Sequence, residues 1–377
     1  MTQSLFFYGT LCHIPLLEIV LGRPRADIEI IEANLADHLV SWVKDEPFPM
    51  IAKQPQARVR GIVVQDLSAE DVARLRFYEG GFEYDLATLN VRLSDGRFTK
   101  ADVFFPQEGV WHAGAEWVLD DWIADWGRVS EAAAKEAMEH YGKRSVEEVA
   151  RLLPFFRARA WAKELARDTA PTSLRRATKS AEVNLSPTAE GYAEFFRLDA
   201  FELSYPRFDG SPSETLQRSA FVAYDAALVL PYDPKNDLIL LIEQLRYGPL
   251  MRGDPQPWVL EPIAGLVDAG EPPIETARRE AVEEAGLDLQ DIRPMMKAYP
   301  SPGYSSEFFH CFLGICELDK VVEGTHGLAS ENEDIRTHII TFEHAMTLMD
   351  SGEINLAPMT MMLLWIARHR ETLRCEA

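Results

Sequence analysis

The strongest constraint on this chain is a motif of fixed spacing at residues 265–287, which reads GLVDAGEPPIETARREAVEEAGL. Its second half has the period of a helix, and at about 100° per residue the side chains of Glu280, Glu283 and Glu284 share one face. Three carboxylates on one face repel one another unless a cation binds between them, and oxygen ligands of this kind suit Mg²⁺ or Mn²⁺. The motif therefore predicts a divalent-metal site on a helix.

Local signals predict where this helix begins and ends. Pro272 and Pro273 stand at its start, where proline is tolerated, and Gly286 fits the left-handed position just past its end. An acidic helix face that is merely solvated is the alternative interpretation. The residues expected to form the buried stripe are Ile274, Ala277, Ala281 and Ala285.

Length and charge limit the possible functions. A chain of 377 residues can fold into two domains, each with its own core. Its formal net charge of -22 disfavours nucleic acids and anionic membranes as partners, because like charges repel. A phosphate-bearing substrate would have to be attracted by local cations, namely a bound metal and a few arginines.

The cysteines and the N-terminus favour a cytoplasmic location. Cys12, Cys311, Cys316 and Cys375 show no metal-ligand spacing and are predicted to be reduced. No apolar run approaches the roughly 20 residues that span a bilayer, and the N-terminus lacks the basic segment of a signal peptide.

The first part of the chain alternates short apolar strands with turns. One helix is predicted over 69–78, with Ser68 as its N-cap. Charged helical patterns over 128–170 indicate a connector. A stretch rich in Ser, Thr, Lys and Pro over 168–190 is the predicted exposed linker.

Strand signals return after the linker, and a closing helix is predicted over 358–374. The predicted domains are 1–125 and 191–377, joined by a helical connector and linker over 126–190. Alternating strands and helices in both halves favour mixed α+β and α/β folds over helical bundles.

The motif resembles the signature of Nudix hydrolases, and its surroundings resemble the ADP-ribose pyrophosphatases of that family over roughly residues 195–372. The matching segments are 241–246, 260–265, 301–307 and 327–335. The resemblance implies an α/β/α sandwich that binds Mg²⁺ or Mn²⁺, hydrolyses the diphosphate of a nucleotide sugar, and forms a homodimer through this domain.

The resemblance also implies roles for individual residues. Glu280, Glu284 and the carbonyl of Ala264 would hold the metal, with Glu283 and Glu261 as nearby candidates.

The general base implied by the resemblance lies in a late acidic loop, at Glu331 or, as the alternative, Glu333. Arg279 is expected to orient the carboxylates of the motif. Tyr304 departs from the family pattern, in which a smaller residue is usual. The residues expected to contact the substrate are Arg218, Arg246, Glu261, Ser301 and Gly303.

The N-terminal half carries a second resemblance. Residues 7–11, 61–64 and 75–80 resemble the γ-glutamylcyclotransferase-like (AIG2-like) fold over roughly residues 4–122. The resemblance implies that the loop of Tyr8, Gly9, Thr10 and Leu11 presents backbone groups to the substrate. It also implies that Glu79 takes a proton from a γ-glutamyl amine.

The surroundings of Glu79 leave two interpretations open. Phe77, Tyr78 and Phe82 would supply apolar walls that raise the pKa of Glu79. Arg76 and Leu86, however, replace the Asp and Arg that are common in the pattern. These two departures indicate either a different γ-glutamyl substrate or a site that has lost its activity.

The order of the two halves resembles tellurite-resistance proteins of the TrgB type. Together these features predict a metal-dependent hydrolase of ADP-ribose or a close ADP-sugar, fused to a cyclotransferase-like domain. The alternative is a non-catalytic nucleotide-binding sensor or scaffold linked to stress resistance.

Overall fold

The computed structural model describes residues 3–80, 84–168, 170–176, 180–328 and 333–377. The chain divides into two compact units, Met1–Glu164 and Leu165–Ala377. In the described part of the chain, no helix combines the length and the apolar character that crossing a bilayer requires.

The first unit is built on six strands whose sheet closes on itself. They are β1 (Gln3–Phe7), β2 (Ile30–Val43), β3 (Pro49–Leu67), β4 (Tyr84–Leu93), β5 (Phe98–Pro106) and β6 (Ala113–Glu116). Their order is β3-β1-β5-β4-β2-β6, and an additional pairing of β2 with β3 completes a small barrel. β1 and β5 run parallel, whereas β2 and β3 are antiparallel.

Alternation along β1 separates two cores. Phe6 belongs to a cluster of strand residues inside the barrel, whereas Leu5 and Phe7 pack in a cluster that includes helix residues. Successive strand side chains face opposite sides, so β1 supplies both cores.

Helices cover the outside of this barrel. They are α1 (Ile14–Leu21), α2 (Ala69–Glu79), α3 (Leu119–Trp122), α4 (Arg128–Met138) and α5 (Val146–Leu165). The helix predicted over 69–78 is confirmed as α2. Ser68 caps it, because its hydroxyl accepts from the N–H of Asp71 at 3.1 Å while the Asp71 carboxylate accepts from the N–H of Ser68 at 2.8 Å.

The helical pattern predicted over 128–170 forms α4 and α5, and all but the last residue of α5 lies in the first unit. A buried ion pair joins the two helices, with Nη2 of Arg159 2.5 Å from Oε1 of Glu136. Arg159 is 1 % exposed. Removing one partner of such a pair costs about 3–5 kcal/mol, so this contact holds α5 against α4.

The second unit begins with a three-stranded antiparallel sheet of β7 (Asn184–Ala193), β8 (Arg197–Ser204) and β9 (Leu216–Val222). β7 starts inside the stretch of 168–190 predicted as linker, and the linker prediction is wrong for that strand. Its pairing with β8 shifts register after Pro187 and again after Ala189. These irregularities break the period of two by which a strand is recognised in sequence.

A larger sheet forms the core of the second unit. Its strands are β10 (Asp225–Asp233), β11 (Leu238–Leu245), β12 (Trp258–Glu261), β13 (Ile263–Leu266), β14 (Asp291–Ala298), β15 (Phe308–Ile315), β16 (Thr325–His326) and β17 (Ile335–Thr341). The order is β14-β15-β10-β11-β17-β16, with β12 on β11 and β13 on β10.

Helices pack on both faces of this sheet. They are α6 (Tyr247–Arg252), α7 (Pro273–Ala285), α8 (Phe342–Ser351) and α9 (Ala357–Cys375). Leu228 and Leu230 of β10 pack with residues of α8 and α9, whereas the alternate residue Val229 faces the other side, where α7 contacts β10 and β13. The closing helix predicted over 358–374 is confirmed as α9, and so is the mixed fold.

Candidate functional site

The motif at 265–287 folds as a loop followed by α7, with the ends that proline and glycine predict. α7 begins at Pro273, and Gly286 past its end has a left-handed φ of 63°. Ile274 is only half-buried, and Thr276 is fully buried instead, with its hydroxyl donating to Glu271 at 2.7 Å. The remaining predicted stripe residues, Ala277, Ala281 and Ala285, are buried.

Gly265 allows α7 to approach the strand before it. A Cβ atom at Gly265 would lie 1.8 Å from Oε1 of Glu280, which is impossible without displacement. The absence of a side chain here therefore places the Glu280 carboxylate directly against the backbone of β13.

Glu280 and Glu284 of α7 place their carboxylates against this backbone. Oε2 of Glu284 accepts from the N–H of Ala264 at 3.0 Å, and Glu284 is 1 % exposed. The N–H and C=O of one strand residue point to the same edge, so the Ala264 carbonyl faces the same side. Glu280 and Glu283 accept from Nη1 of Arg279 at 2.5 Å and 3.1 Å.

Burial makes negative charge costly in this cluster. Desolvation raises the pKa of Glu280 to about 7 despite Arg279, and the charges of Glu283 and Glu333 add to the effect. Desolvation likewise raises the pKa of Glu284 well above its usual value. The pKa of Glu261, a buried neighbour, is raised for the same reason.

Arg279 is the cation that the motif itself supplies. It hydrogen-bonds to Glu271, Glu280 and Glu283, and its Nη2 also donates to the carbonyl of Leu266. Burial opposes its charge, but hydrogen bonds to Glu271 and the charge of Glu280 raise the pKa of Arg279 above its usual value. Arg279 therefore stays charged and contacts three glutamates of the motif.

Arg246 lies at the edge of the cluster. Its Nε donates to Glu261 at 2.8 Å, and its charge acts on the carboxyl of Glu307, whose pKa burial raises. Arg218, in contrast, donates from Nη1 to the carbonyl of Gln217 on its own strand. Among the described residues, Arg218 has no hydrogen bond or ion pair with the motif.

The loop that contains Ser301 and Gly303 is attached to β9. The carbonyl of Ser301 accepts from the N–H of Ser305, and the carbonyl of Tyr304 accepts from the N–H of Phe221 at 2.7 Å. The Tyr304 side chain is exposed. The loop leads into Glu307, the carboxyl group on which the charge of Arg246 acts.

The structure brings Glu333 of the late acidic loop to the carboxylate cluster. Its charge raises the pKa values of Glu280 and Glu284, and its Oε2 accepts from the N–H of Leu328 at 3.2 Å. The N–H of Gly327 donates to the carbonyl of Glu283, which attaches the loop to α7. Glu331, the predicted base, lies outside the described residues.

The chemistry of the donors fits a divalent cation. In the described ranges, no three His, Cys, Asp or Glu side chains are already arranged to hold a metal ion. Glu280 and Glu284 are instead engaged by Arg279 and by the N–H of Ala264. These carboxylates and the Ala264 carbonyl are hard oxygen donors. Burial raises the pKa values of Glu280 and Glu284, because it makes their charged forms costly, and a hard cation would stabilise those charged forms.

The first unit holds a second candidate site, in which the loop of Tyr8 to Leu11 and Glu79 line one pocket. The loop leaves β1 and forms a short 3-10 helix over Thr10–Cys12. A Cβ at Gly9 would lie 2.6 Å from Cγ of Pro49, so only glycine fits this close approach.

Glu79 is the acid of this pocket. It is 8 % exposed, and burial raises its pKa to about 8. Tyr78 lines the pocket as predicted, but Phe77 packs against Tyr141 with ring centroids 5.3 Å apart. The prediction of Phe77 as a wall is wrong, because neighbouring helix residues point about 100° apart; Phe82 lies outside the described residues.

Sequence reasoning missed one wall of this pocket. Side chains of α4 and α5 line it, among them Ser130, Leu153 and Arg157. No motif marks these residues. The available signal was a charge within the apolar run LLPFFRARA, where an arginine is unusual.

Comparisons with known proteins match the two parts of the chain that contain these sites. The NUDIX domain model matches residues 223–360, and the model "Gamma-glutamyl cyclotransferase, AIG2-like" matches residues 5–124. The ADP-ribose pyrophosphatase of Escherichia coli is 38% identical over 186 residues, which cover 49% of this chain and 88% of that protein. The chain belongs to the Nudix hydrolase family.

Two further matches have lower sequence identity to this chain. The GDP-mannose pyrophosphatase of Escherichia coli is 28% identical over 172 residues, covering 46% of this chain and 88% of that protein. A solved structure described as an ADP compounds hydrolase has 21% sequence identity and a TM-score of 0.40, and covers 51% of this chain and 94% of that one. Both predicted family resemblances are confirmed, and the resemblance to tellurite-resistance proteins stays a prediction.

Proposed function

We propose that the Nudix unit hydrolyses ADP-ribose, or a close ADP-sugar, at its diphosphate to give AMP and a sugar phosphate. The observation that carries this proposal is the group of buried and half-buried carboxylates on α7 with the guanidinium of Arg246 at its edge. Such a site suits a cation and an adjacent diphosphate. The similar ADP-ribose pyrophosphatases support the choice of substrate.

Glu280, Glu284 and the carbonyl of Ala264 would hold Mg²⁺ or Mn²⁺, with Glu283 and Glu261 nearby. A divalent cation bound there supplies polarisation of a phosphoryl oxygen and a lower pKa for a bound water. Arg279 holds Glu280 and Glu283 in position through its two hydrogen bonds from Nη1.

Arg246 is suited to bind the diphosphate of the substrate. Glu261 anchors it through Nε, and a guanidinium carries further N–H donors in the same plane that match two phosphate oxygens. Ser301 and Gly303 would contact the rest of the substrate from the neighbouring loop.

We propose Glu331 as the general base, with Glu333 as the alternative. The oxygen of the attacking water bonds to one phosphorus, its proton passes to the carboxylate, and the bond from that phosphorus to the bridging oxygen breaks. The bridging oxygen leaves with the other phosphate, which balances the reaction.

The substrate and the metal are tested together. With Mg²⁺ or Mn²⁺, we expect the full chain to hydrolyse ADP-ribose, with release of AMP, faster than it hydrolyses GDP-mannose, NADH or nucleoside triphosphates. EDTA should abolish this turnover, because it removes the metal. Product analysis by chromatography measures this. Undiminished turnover in the presence of chelator would contradict the metal site. Tight binding of ADP-ribose without product formation would favour the alternative function, a non-catalytic nucleotide-binding sensor.

Two variants separate metal ligand from base. Glu331→Gln should lower kcat by roughly 10²-fold or more with metal affinity nearly kept, because only a proton acceptor is lost. Glu284→Gln should impair metal binding and rate together. Glu275→Gln, on the exposed side of the same helix, is the matched control. If Glu331→Gln behaves as wild type while Glu333→Gln is inactive, Glu333 is the base.

The proposal includes a homodimer formed through the Nudix unit. Large apolar side chains around β8 are exposed, namely Tyr192, Phe195, Phe196 and Leu198, and a patch of this kind is typical of an interface. A pocket shared between subunits would also give Arg218 a substrate contact. Light scattering should give twice the chain mass of 42.6 kDa, and a monomer would contradict the dimer.

We also propose a cytoplasmic location, which the free thiols of all four cysteines support.

A second activity is proposed for the first unit, namely cyclisation of a γ-glutamyl compound to 5-oxoproline. The buried Glu79 beside the Tyr8 to Leu11 loop favours it, because a carboxylate with a raised pKa is a stronger base.

Glu79 gives this second activity a defined pH dependence. A base must be deprotonated to act, so kcat/KM for 5-oxoproline release should rise with pH through about 8, where Glu79 loses its proton. Glu79→Gln in the full chain should abolish release, and Glu70→Gln, an exposed residue of the same helix, should not. A wild-type chain inert toward a broad γ-glutamyl panel would leave this unit as a scaffold.

A further inference from the structure

One wall of the Glu79 pocket lies outside the residues that match the cyclotransferase family, which end at 124. This wall consists of side chains from α4 and α5, namely Ser130, Ala133, Ala134, Leu153 and Arg157. The buried ion pair of Glu136 and Arg159 holds the two helices together. The pocket is therefore completed by helices that follow the matched domain.

Arg157 gives the pocket its positive charge. Among the described residues that line the pocket, Arg157 is the one basic side chain and Glu79 the one acidic side chain. The Arg157 side chain is 23% exposed, and its Nη1 forms an ion pair with Oε2 of Glu46 at 3.9 Å. The guanidinium also lies 6.0 Å from the ring centroid of Phe48, another wall residue.

The two charges come from different elements that line the pocket, Glu79 from the end of α2 and Arg157 from α5. Burial raises the pKa of Glu79. Both charges act on Tyr78. Burial is the main cause of the raised pKa of Tyr78, the charge of Glu79 raises it further, and the charge of Arg157 lowers it. Tyr78 lines the same pocket as both groups, so a substrate bound there can contact Glu79 and Arg157 together.

We propose that Arg157 binds a carboxylate on the leaving half of the substrate, so that the pocket prefers γ-glutamyl α-amino acids to γ-glutamyl amines. A planar guanidinium can form two parallel hydrogen bonds with a carboxylate. These bonds are stronger next to the apolar side chains of the pocket, because the local dielectric constant is lower there than in water. This specificity rests on the cyclotransferase activity proposed above.

The reaction assigns the two ends of the pocket. The α-amino nitrogen attacks the γ-carbonyl carbon, the bond from that carbon to the leaving nitrogen breaks, and Glu79 transfers a proton from the attacking to the leaving nitrogen. The γ-glutamyl half occupies the end with Glu79 and the Tyr8 to Leu11 loop. The leaving half then extends toward α5 and Arg157.

The test compares γ-glutamylalanine with γ-glutamylethylamide, which differ by the carboxylate of the leaving group. In the full chain, Arg157→Met should lower kcat/KM for γ-glutamylalanine roughly 10- to 100-fold, mainly through KM, because a hydrogen-bonded charge pair is lost. Turnover of the ethylamide should be unchanged. Arg157→Lys should retain part of the preference, and Arg97→Met, on an exposed turn, should match wild type.

The controls keep this proposal separate from the activity on which it rests. ADP-ribose turnover and the thermal unfolding midpoint report whether each variant folds. An equal loss for both substrates, or a wild type without preference, would overturn the assignment of Arg157. If wild type releases no 5-oxoproline, the cyclotransferase proposal fails, and calorimetric binding of the two compounds then decides. Binding that requires both the carboxylate and Arg157 sustains the assignment, and any other binding result overturns it.

Discussion

The burial of carboxylates on the inner face of α7 is the constraint on which the Nudix unit depends. Glu280 can lie against β13 because Gly265 has no side chain, and Glu284 is kept in place by the N–H of Ala264. Arg279 compensates part of the charge from within the same helix. These contacts are mutually dependent, since the loss of one would leave a buried charge without its partner.

Both units contain glutamates whose pKa values are raised by burial, but the surroundings of these glutamates differ. Glu280 lies among other carboxylates and an arginine, so its surroundings attract a cation. Glu79 has a raised pKa through burial alone, so its surroundings favour exchange of a proton. The same side chain is thus suited to two kinds of chemistry by what lies next to it.

Local patterns predicted the elements whose causes are local. The ends of α7 follow from Pro273 and Gly286, and the start of α2 follows from Ser68. Features with distant causes were not predictable in this way. Arg157 reaches the pocket because α5 packs back on α4, a contact between residues far from Glu79 in sequence. β7 escaped recognition because its pairing is irregular, and the proximity of Glu333 to α7 was expected only from family resemblance.

The position of α4 and α5 has a consequence for how such domains are transferred between chains. The segment that matches the cyclotransferase family ends at residue 124, whereas the compact unit that contains the pocket extends to residue 164. A barrel moved without its two trailing helices would keep Glu79 and the Tyr8 to Leu11 loop but would open one side of the pocket to water. Selectivity in this architecture can therefore change through the sequence that follows the barrel, while the reacting groups inside it stay the same.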